Sequence, residues 1–266
     1  MVNYDKLYGL SFEKKMTIIT SMVNILVNDT NFDANWAYPS LNEYFTKDSK
    51  VVVVPFMHSD EYSSDEEEWD YFFKKGGKIY EKIVAPFKDY GIKEKNITFF
   101  HLFKDSSTAL ETLLNDADVL YLYASQSESM MQNIVDAGIG HLLVQFDGVM
   151  ICNHAASHVL LEHFESPYEW EEEEIDGLGL LTDFALMSDY VEDVQHLRRL
   201  IRNIEEKGRA VFAFGKDGGV VIHHGHYELL GNAFTVSFDD LDAIYRAYED
   251  AKSRYEYYGS NGLWDE

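Results

Sequence analysis

The stretch Val149-Met150-Ile151-Cys152-Asn153-His154-Ala155-Ala156-Ser157-His158 constrains the fold of this chain more than any other. It has the layout of a buried strand that turns sharply into a helix and presents one side chain at the bend. Such an elbow needs small residues two before and two after its tip, because the backbone there is crowded and strained. With His154 at the tip, the flanking residues are Cys152 and Ala156, and the requirement is met. With Cys152 at the tip they are Met150 and His154, which are too bulky. The spacing therefore predicts an elbow crowned by an imidazole where covalent hydrolases carry a hydroxyl or a thiol.

The segments around the elbow predict the fold class. Apolar, β-branched runs recur at Met16–Thr20, Val51–Phe56, Ile97–Leu102, Val119–Tyr123 and Gly148–Cys152. They are continuous rather than alternating, as in parallel strands buried on both faces. Helix-like stretches lie between them, at Trp69–Tyr90, Ser107–Asn115 and Ser127–Ala137. This rhythm predicts an α/β fold with a doubly wound, mostly parallel sheet flanked by helices. Further on, Val191–Lys207 reads as a helix ended by Gly208. Arg209–Phe214 and Gly219–His223 read as strands around a turn at Lys216-Asp217-Gly218, and Asp239–Tyr257 as a last helix with Phe238, Leu241, Ile244 and Tyr245 at helical spacing. No internal repeat or long linker divides residues 1–266, so a single domain is expected.

Composition narrows the partners. The chain has 266 residues and a formal charge of −25, from 22 basic and 47 acidic side chains. That field repels a phosphate backbone, which argues against nucleic acid. No apolar run approaches the ~20 residues that span a bilayer, which argues against a membrane role. The polar start of the chain lacks a signal-peptide layout, and the single Cys152 excludes an internal disulfide framework; both suit the cytoplasm. The acidic runs Asp65–Glu68 and Glu169–Glu174 read as solvated segments, with Glu169 a candidate for the mouth of a cleft because its run follows the elbow.

The order of segments resembles the peptidase E and cyanophycinase family, serine hydrolases whose fold is similar to class I glutamine amidotransferases and to flavodoxin. The resemblance covers roughly residues 14 to 235, leaving a C-terminal helix and aromatic tail at 236–266. Thr17–Ser21 is similar to the family's opening strand, and Val51–Phe56 to its second. Asp118–Tyr123, running into Ala124-Ser125-Gln126-Ser127, takes the place of a strand that enters a glycine pair. Cys152-Asn153-His154-Ala155-Ala156-Ser157 aligns with a Gly-x-Ser-Ala-Gly-Ala elbow, and Gly177-Leu178-Gly179-Leu180 with the segment before the catalytic histidine. Asp217–Val221 and Glu228–Gly231 are similar to the closing hairpin.

Three departures fall on the chemistry. His154 replaces the nucleophilic serine, Asp189 stands where the catalytic histidine is expected, and Ala124-Ser125-Gln126 replaces the glycine pair that offers N–H groups to an oxyanion. Asn153 and Ala155 complete the expected cleft at the elbow. A serine hydrolase needs a hydroxyl nucleophile, a base and oxyanion donors. Ser157 lies about a turn into the helix and is not presented by the elbow. Cys152 precedes the tip in a buried strand, where a thiol is a small core residue rather than an exposed thiolate.

Two replacement chemistries follow from these residue types. His154 and Asp189 can hydrogen-bond, the carboxylate orienting the imidazole as a general base or as an anion-binding group. His154 and His158, four residues apart, have a spacing that suits a metal pair if His58 or Asp189 adds a third ligand, but no HExxH-like context accompanies them, so no metal or cofactor is assigned. His223, His224 and His226 sit on the hairpin and read as surface residues. The expectation is a peptidase E-like protein without the Ser-His couple that binds a small peptide or amide ligand, or a protein. The alternatives are an active hydrolase of short acidic peptides or amides by a modified mechanism, and a regulatory partner that uses its acidic face. The aromatic tail docks on its own domain or on a second subunit, which keeps a homo-oligomer among the expected partners.

Overall fold

The computed structural model describes residues 22–56, 65–165 and 174–260, with side chains as far as residue 254. The strands are β1 (Val23–Val27), β2 (Val51–Pro55), β3 (Ile97–Phe99), β4 (Val119–Ala124), β5 (Val149–His154), β6 (His163–Glu165), β7 (Glu174–Asp176), β8 (Phe184–Met187), β9 (Ala210–His223) and β10 (His226–Val236). Eight of them form one mixed sheet in the order β10-β9-β1-β5-β4-β2-β3, with β8 also paired to β9. The run from β1 through β5, β4 and β2 to β3 is parallel, and β9 and β10 close it antiparallel. β6 and β7 make a separate two-stranded ribbon.

Every residue of β1, β2 and β4 is buried, because helices cover both faces of the sheet. One face packs Leu26, Leu122 and Cys152 against Leu110, Met130, Ile134 and Val159 of the helices Ser107–Leu114, Ser127–Ala137 and Ala155–Val159. The other packs Ile25, Val53 and Tyr121 against Phe73, Ile83 and Phe87 of Glu66–Phe73 and Tyr80–Asp89. A third cluster joins Leu197, Leu200 and Ile204 of the helix Val194–Glu205 to Leu241 and Ile244 of the helix Leu241–Ser260. Phe238 and Tyr245, expected on the same stripe, are exposed. No described helix is long and apolar enough to cross a membrane.

Two segments differ from the sequence reading, and a third cannot be compared with it. The run Met16–Thr20, with the Thr17–Ser21 segment, lies outside the described residues, and the strand beside the elbow strand is Val23–Val27. The helix expected over Trp69–Tyr90 is two helices, separated by Lys74–Ile79, where Gly76 adopts φ +82°. The chain does not reverse at Lys216-Asp217-Gly218: β9 continues from Ala210 to His223, with its pairing to β10 shifted in register between Phe214 and Gly218, and the hairpin turn is His224-Gly225, at φ +51° and +74°. Gly218 and Gly219 serve close approach instead. A Cβ on Gly219 would lie 2.5 Å from the Leu26 carbonyl oxygen of β1, and one on Gly218 would lie 2.9 Å from that of Asn232.

The length of β9 positions the site. Its first part, Ala210–Ala213, pairs in parallel with β8, and its last part, Gly219–His223, pairs antiparallel with β1. β8 and β1 therefore point toward each other along the same side of β9, and their C-terminal ends meet opposite its middle. The Asn28 N–H donates to the Gly218 carbonyl at 2.9 Å, and the Tyr190 N–H to that of Phe214 at 2.8 Å. Behind the elbow helix, the segment from Gly177 to Leu180 is laced to residues 159–162: Gly177 N donates to Glu162 O at 3.0 Å and Leu178 N to Val159 O at 2.7 Å. A Cβ on Gly177 would lie 2.2 Å from the Leu161 carbonyl oxygen, a clash with backbone that cannot swing aside. Gly177→Ala is therefore expected to destabilise the protein by about 2 kcal/mol or more, read as a fall in the thermal unfolding midpoint.

Candidate functional site

The elbow forms as the small flanking residues require. His154 ends β5 with φ +45° and ψ −114°, a conformation that costs a non-glycine residue about 1–3 kcal/mol and persists only where neighbours enforce it. The helix Ala155–Val159 follows at once, and Cys152, Ala155 and Ala156 are fully buried beneath the bend. Two internal hydrogen bonds brace the turn. Ser157 Oγ donates to the Cys152 carbonyl at 2.8 Å, and Ser127 Oγ donates to that of Ala155 at 3.1 Å.

Asp189 arrives from the opposite direction, two residues past β8. Its carboxylate Oδ2 lies 2.7 Å from His154 Nε2, and its own backbone also has positive φ, +51°. Asn28, just past β1, fixes it with both ends of one amide: Asn28 Nδ2 donates to Asp189 Oδ1 at 2.7 Å, while the Asp189 N–H donates to Asn28 Oδ1 at 3.0 Å. The hydrogen bond from His154, helped by that from Asn28, lowers the Asp189 carboxyl to about 2 against the opposing effect of partial burial. The His154 side chain keeps 19 % of its surface exposed and that of Asp189 64 %, so the pair is reachable from the solvent side.

The pair forms part of the wall of a cleft of about 550 Å³ at the C-terminal ends of β1, β4 and β5. Ligands bind at this place in open α/β sheets. Asn28, Asp29 and Thr30 line it from β1; Tyr123, Ala124 and Ser125 from β4; Asn153 and His154 from β5; Tyr190, Val191, Lys82 and Lys216 complete it. Lys82 Nζ lies 3.3 Å from Asp29 Oδ1, which also accepts from the Thr30 N–H at 2.6 Å. Burial raises the Asp29 carboxyl, but these bonds outweigh it and the net shift is downward. Burial pushes the Tyr123 phenol upward.

Of the residues singled out in the sequence, His154, Asp189, Asn153, Ala124 and Ser125 come together in this cleft. Ala155 lies buried at the helix start. Gln126 is not on the cleft wall: it precedes the helix Ser127–Ala137, and its Oε1 accepts from Ser129 Oγ at 2.9 Å. Ser157 is buried and bound to the strand. The Cys152 thiol is fully buried, and burial alone pushes its ionisation well above the usual thiol range. His158 is buried too, with Nε2 2.9 Å from Ser188 Oγ; burial, with the neighbouring His154, lowers it to about 3, so it stays neutral. The Nε2 atoms of His154 and His158 thus have different partners. Among the described residues no group of three or more His, Cys, Asp or Glu side chains is placed to hold a metal ion. Glu169 and His58 lie outside the described residues.

The cleft residues that sequence reasoning missed include Asn28, Asp29, Thr30, Lys82, Tyr190 and Lys216. The first three carried a usable signal, a polar triplet directly after the apolar residues Ile25-Leu26-Val27. Lys82 and Lys216 carried none, because a helix lysine and a lysine beside Asp-Gly resemble surface residues in any chain.

The fold is similar to that of a candidate peptidase E protein from Listeria monocytogenes EGD-e, with a TM-score of 0.55 and 12% sequence identity over 78% of this chain and 97% of that one. It is also similar to a peptidase from an acI-B1 Actinobacterium, with a TM-score of 0.50 and 12% identity over 81% and 96%. No protein-family model matches the sequence, and no curated protein matches it. At such identity the likeness is one of fold: the mostly parallel sheet with its flanking helices is peptidase E-like.

The lowered Asp189 pKa fixes the sign of a pH effect. A carboxylate that ionises more readily folded than unfolded stabilises the fold above its ordinary pKa of 3.8, and this contribution is lost as pH falls through its folded value of about 2. Thermal melts of the wild type and Asp189→Asn are expected to differ most at neutral pH and to converge between about pH 4 and pH 2. A gap of constant size would show that the carboxylate charge contributes nothing to the pair.

Proposed function

We propose that this chain is a peptidase E-like protein that has lost the elbow serine and its histidine partner, and that His154 and Asp189 in their places form a base dyad acting on a small amide or short peptide in the cleft. The observation that carries this reading is the 2.7 Å bond between two non-glycine residues that both hold positive φ at the same cleft wall. Two strained backbones aimed at one shared hydrogen bond are maintained at an energetic cost, and such strain collects where geometry serves a task. In the tautomer that donates Nε2–H to Asp189, the imidazole keeps its lone pair on Nδ1. The carboxylate then stabilises the imidazolium that forms when Nδ1 takes a proton.

A binding role without turnover is the second reading, favoured by the elbow tip, which carries neither hydroxyl nor thiol, and by the burial of Cys152 and Ser157. Hydrolysis of Asp-containing dipeptides and their amides separates the two. In the catalytic reading the wild type releases product, His154→Ala lowers kcat/KM by about 10²–10⁴-fold as expected for loss of a general base, and Cys152→Ala retains turnover. No turnover, with thermal stabilisation by the same peptides that His154→Ala abolishes, supports the binding reading. Turnover or stabilisation indifferent to His154→Ala refutes both.

A further inference from the structure

A polar side chain buried without a partner is a cost that the free protein does not recover, and two of them stand side by side at the cleft. We propose that the phenol of Tyr123 and the amide of Asn153 form a carbonyl-binding site, donating Oη–H and Nδ2–H to the oxygen of the ligand's amide group. The inference rests on the reading of the cleft as an amide or peptide site and specifies how that group is recognised.

Tyr123 is only 7 % exposed and Asn153 only 4 %. They are register partners on the adjacent parallel strands β4 and β5, and Asn153 is partnered on its other side by Val27 of β1. Partners of this kind project from the same face of the sheet on strands about 4.8 Å apart, so the two side chains stand abreast. Asn153 directly precedes His154, which sets the pair beside the dyad, and both residues line the cleft. Neither side chain has a hydrogen-bond partner among the described residues. Tyr121, two residues earlier on β4, also carries an unpartnered phenol, but it is sealed in the core; Tyr123 and Asn153 lie nearer the strand ends and open on the cleft. The polar groups that follow β1 are committed within the protein: Asn28 to Asp189, Thr30 to Asp29, and Asp29 to Lys82.

Burial, reinforced by the Asp29 carboxylate, raises the Tyr123 phenol, which therefore keeps its proton and can donate it to a hydrogen bond. Two neutral donors suit the oxygen of an uncharged amide, which costs far less to desolvate than a carboxylate. When water attacks that amide, the bond from water oxygen to carbon forms, a water proton passes to His154, and the carbonyl π pair becomes an oxyanion held by the two donors. Collapse breaks the C–N bond, and the leaving amine takes the proton from the imidazolium. Donors already in place need no reorganisation as the charge develops.

Two measurements test the site. In the free protein, Tyr123→Phe removes a group that bonds nothing, so its unfolding midpoint is expected to equal or exceed that of the wild type. A marked fall would reveal a structural partner for the phenol and overturn the proposal. With ligand, the probes are the dipeptide Asp-Gly and its thioamide, in which sulfur, a weaker acceptor, replaces the peptide carbonyl oxygen. The wild type is expected to favour the amide at least about tenfold, in kcat/KM if it cleaves the dipeptide and in Kd if it only binds it. Tyr123→Phe and Asn153→Leu should each reduce that preference about fivefold. No preference in the wild type, or one that both variants leave unchanged, overturns the proposal. If Asp-Gly still depends on His154 in that case, the reading of the dyad survives; if the wild type neither binds nor cleaves Asp-Gly, both readings fall.

Discussion

The site depends on two strands that run head-on along one side of a third. β1 and β8 end opposite the middle of β9, and only this arrangement brings Asn28 and Asp189 into contact across 161 residues of sequence. The amide of Asn28 then serves both the carboxylate and the backbone N–H of Asp189, which holds a left-handed residue in place. The elbow supplies the other half, since it carries His154 at its tip, where the ring bonds that carboxylate. Each strained residue is held by bonds from a different part of the sheet, so neither is free to relax alone.

Burial sorts the ionisable groups between framework and chemistry. Cys152 and His158 flank the elbow tip in sequence, yet both lie where a charge is costly, and both are driven to their neutral forms. Asp189 remains exposed, with a charge-assisted hydrogen bond that keeps it ionised. The cleft also holds Lys82 and Lys216 against Asp29 and Asp189, a near balance of charge within a chain that carries −25 overall.

Legibility in the sequence followed the range of the signal. The runs at Val51–Pro55, Val119–Ala124 and Val149–Cys152 were readable because strand segments buried on both faces leave no charged or amide side chain to break the pattern. β1 was passed over because Asn24 interrupts its run; that side chain is buried, with its Oδ1 unpaired among the described residues. Lys216-Asp217-Gly218 has the composition of a turn, but Gly218 and Gly219 are there because neighbouring backbones leave no room for a side chain. A turn and a close approach ask for the same residue, and local sequence cannot tell them apart.

By itself the sequence determined the elbow, its imidazole tip and the parallel strands around it, because these follow from side-chain size and hydrophobic runs within a few residues of one another. The tertiary structure alone decided that Asn28 holds Asp189 against His154, and that Lys82 and Lys216 share their cleft. Those contacts join residues far apart in the chain, and only strand register and the length of β9 determine which of them meet.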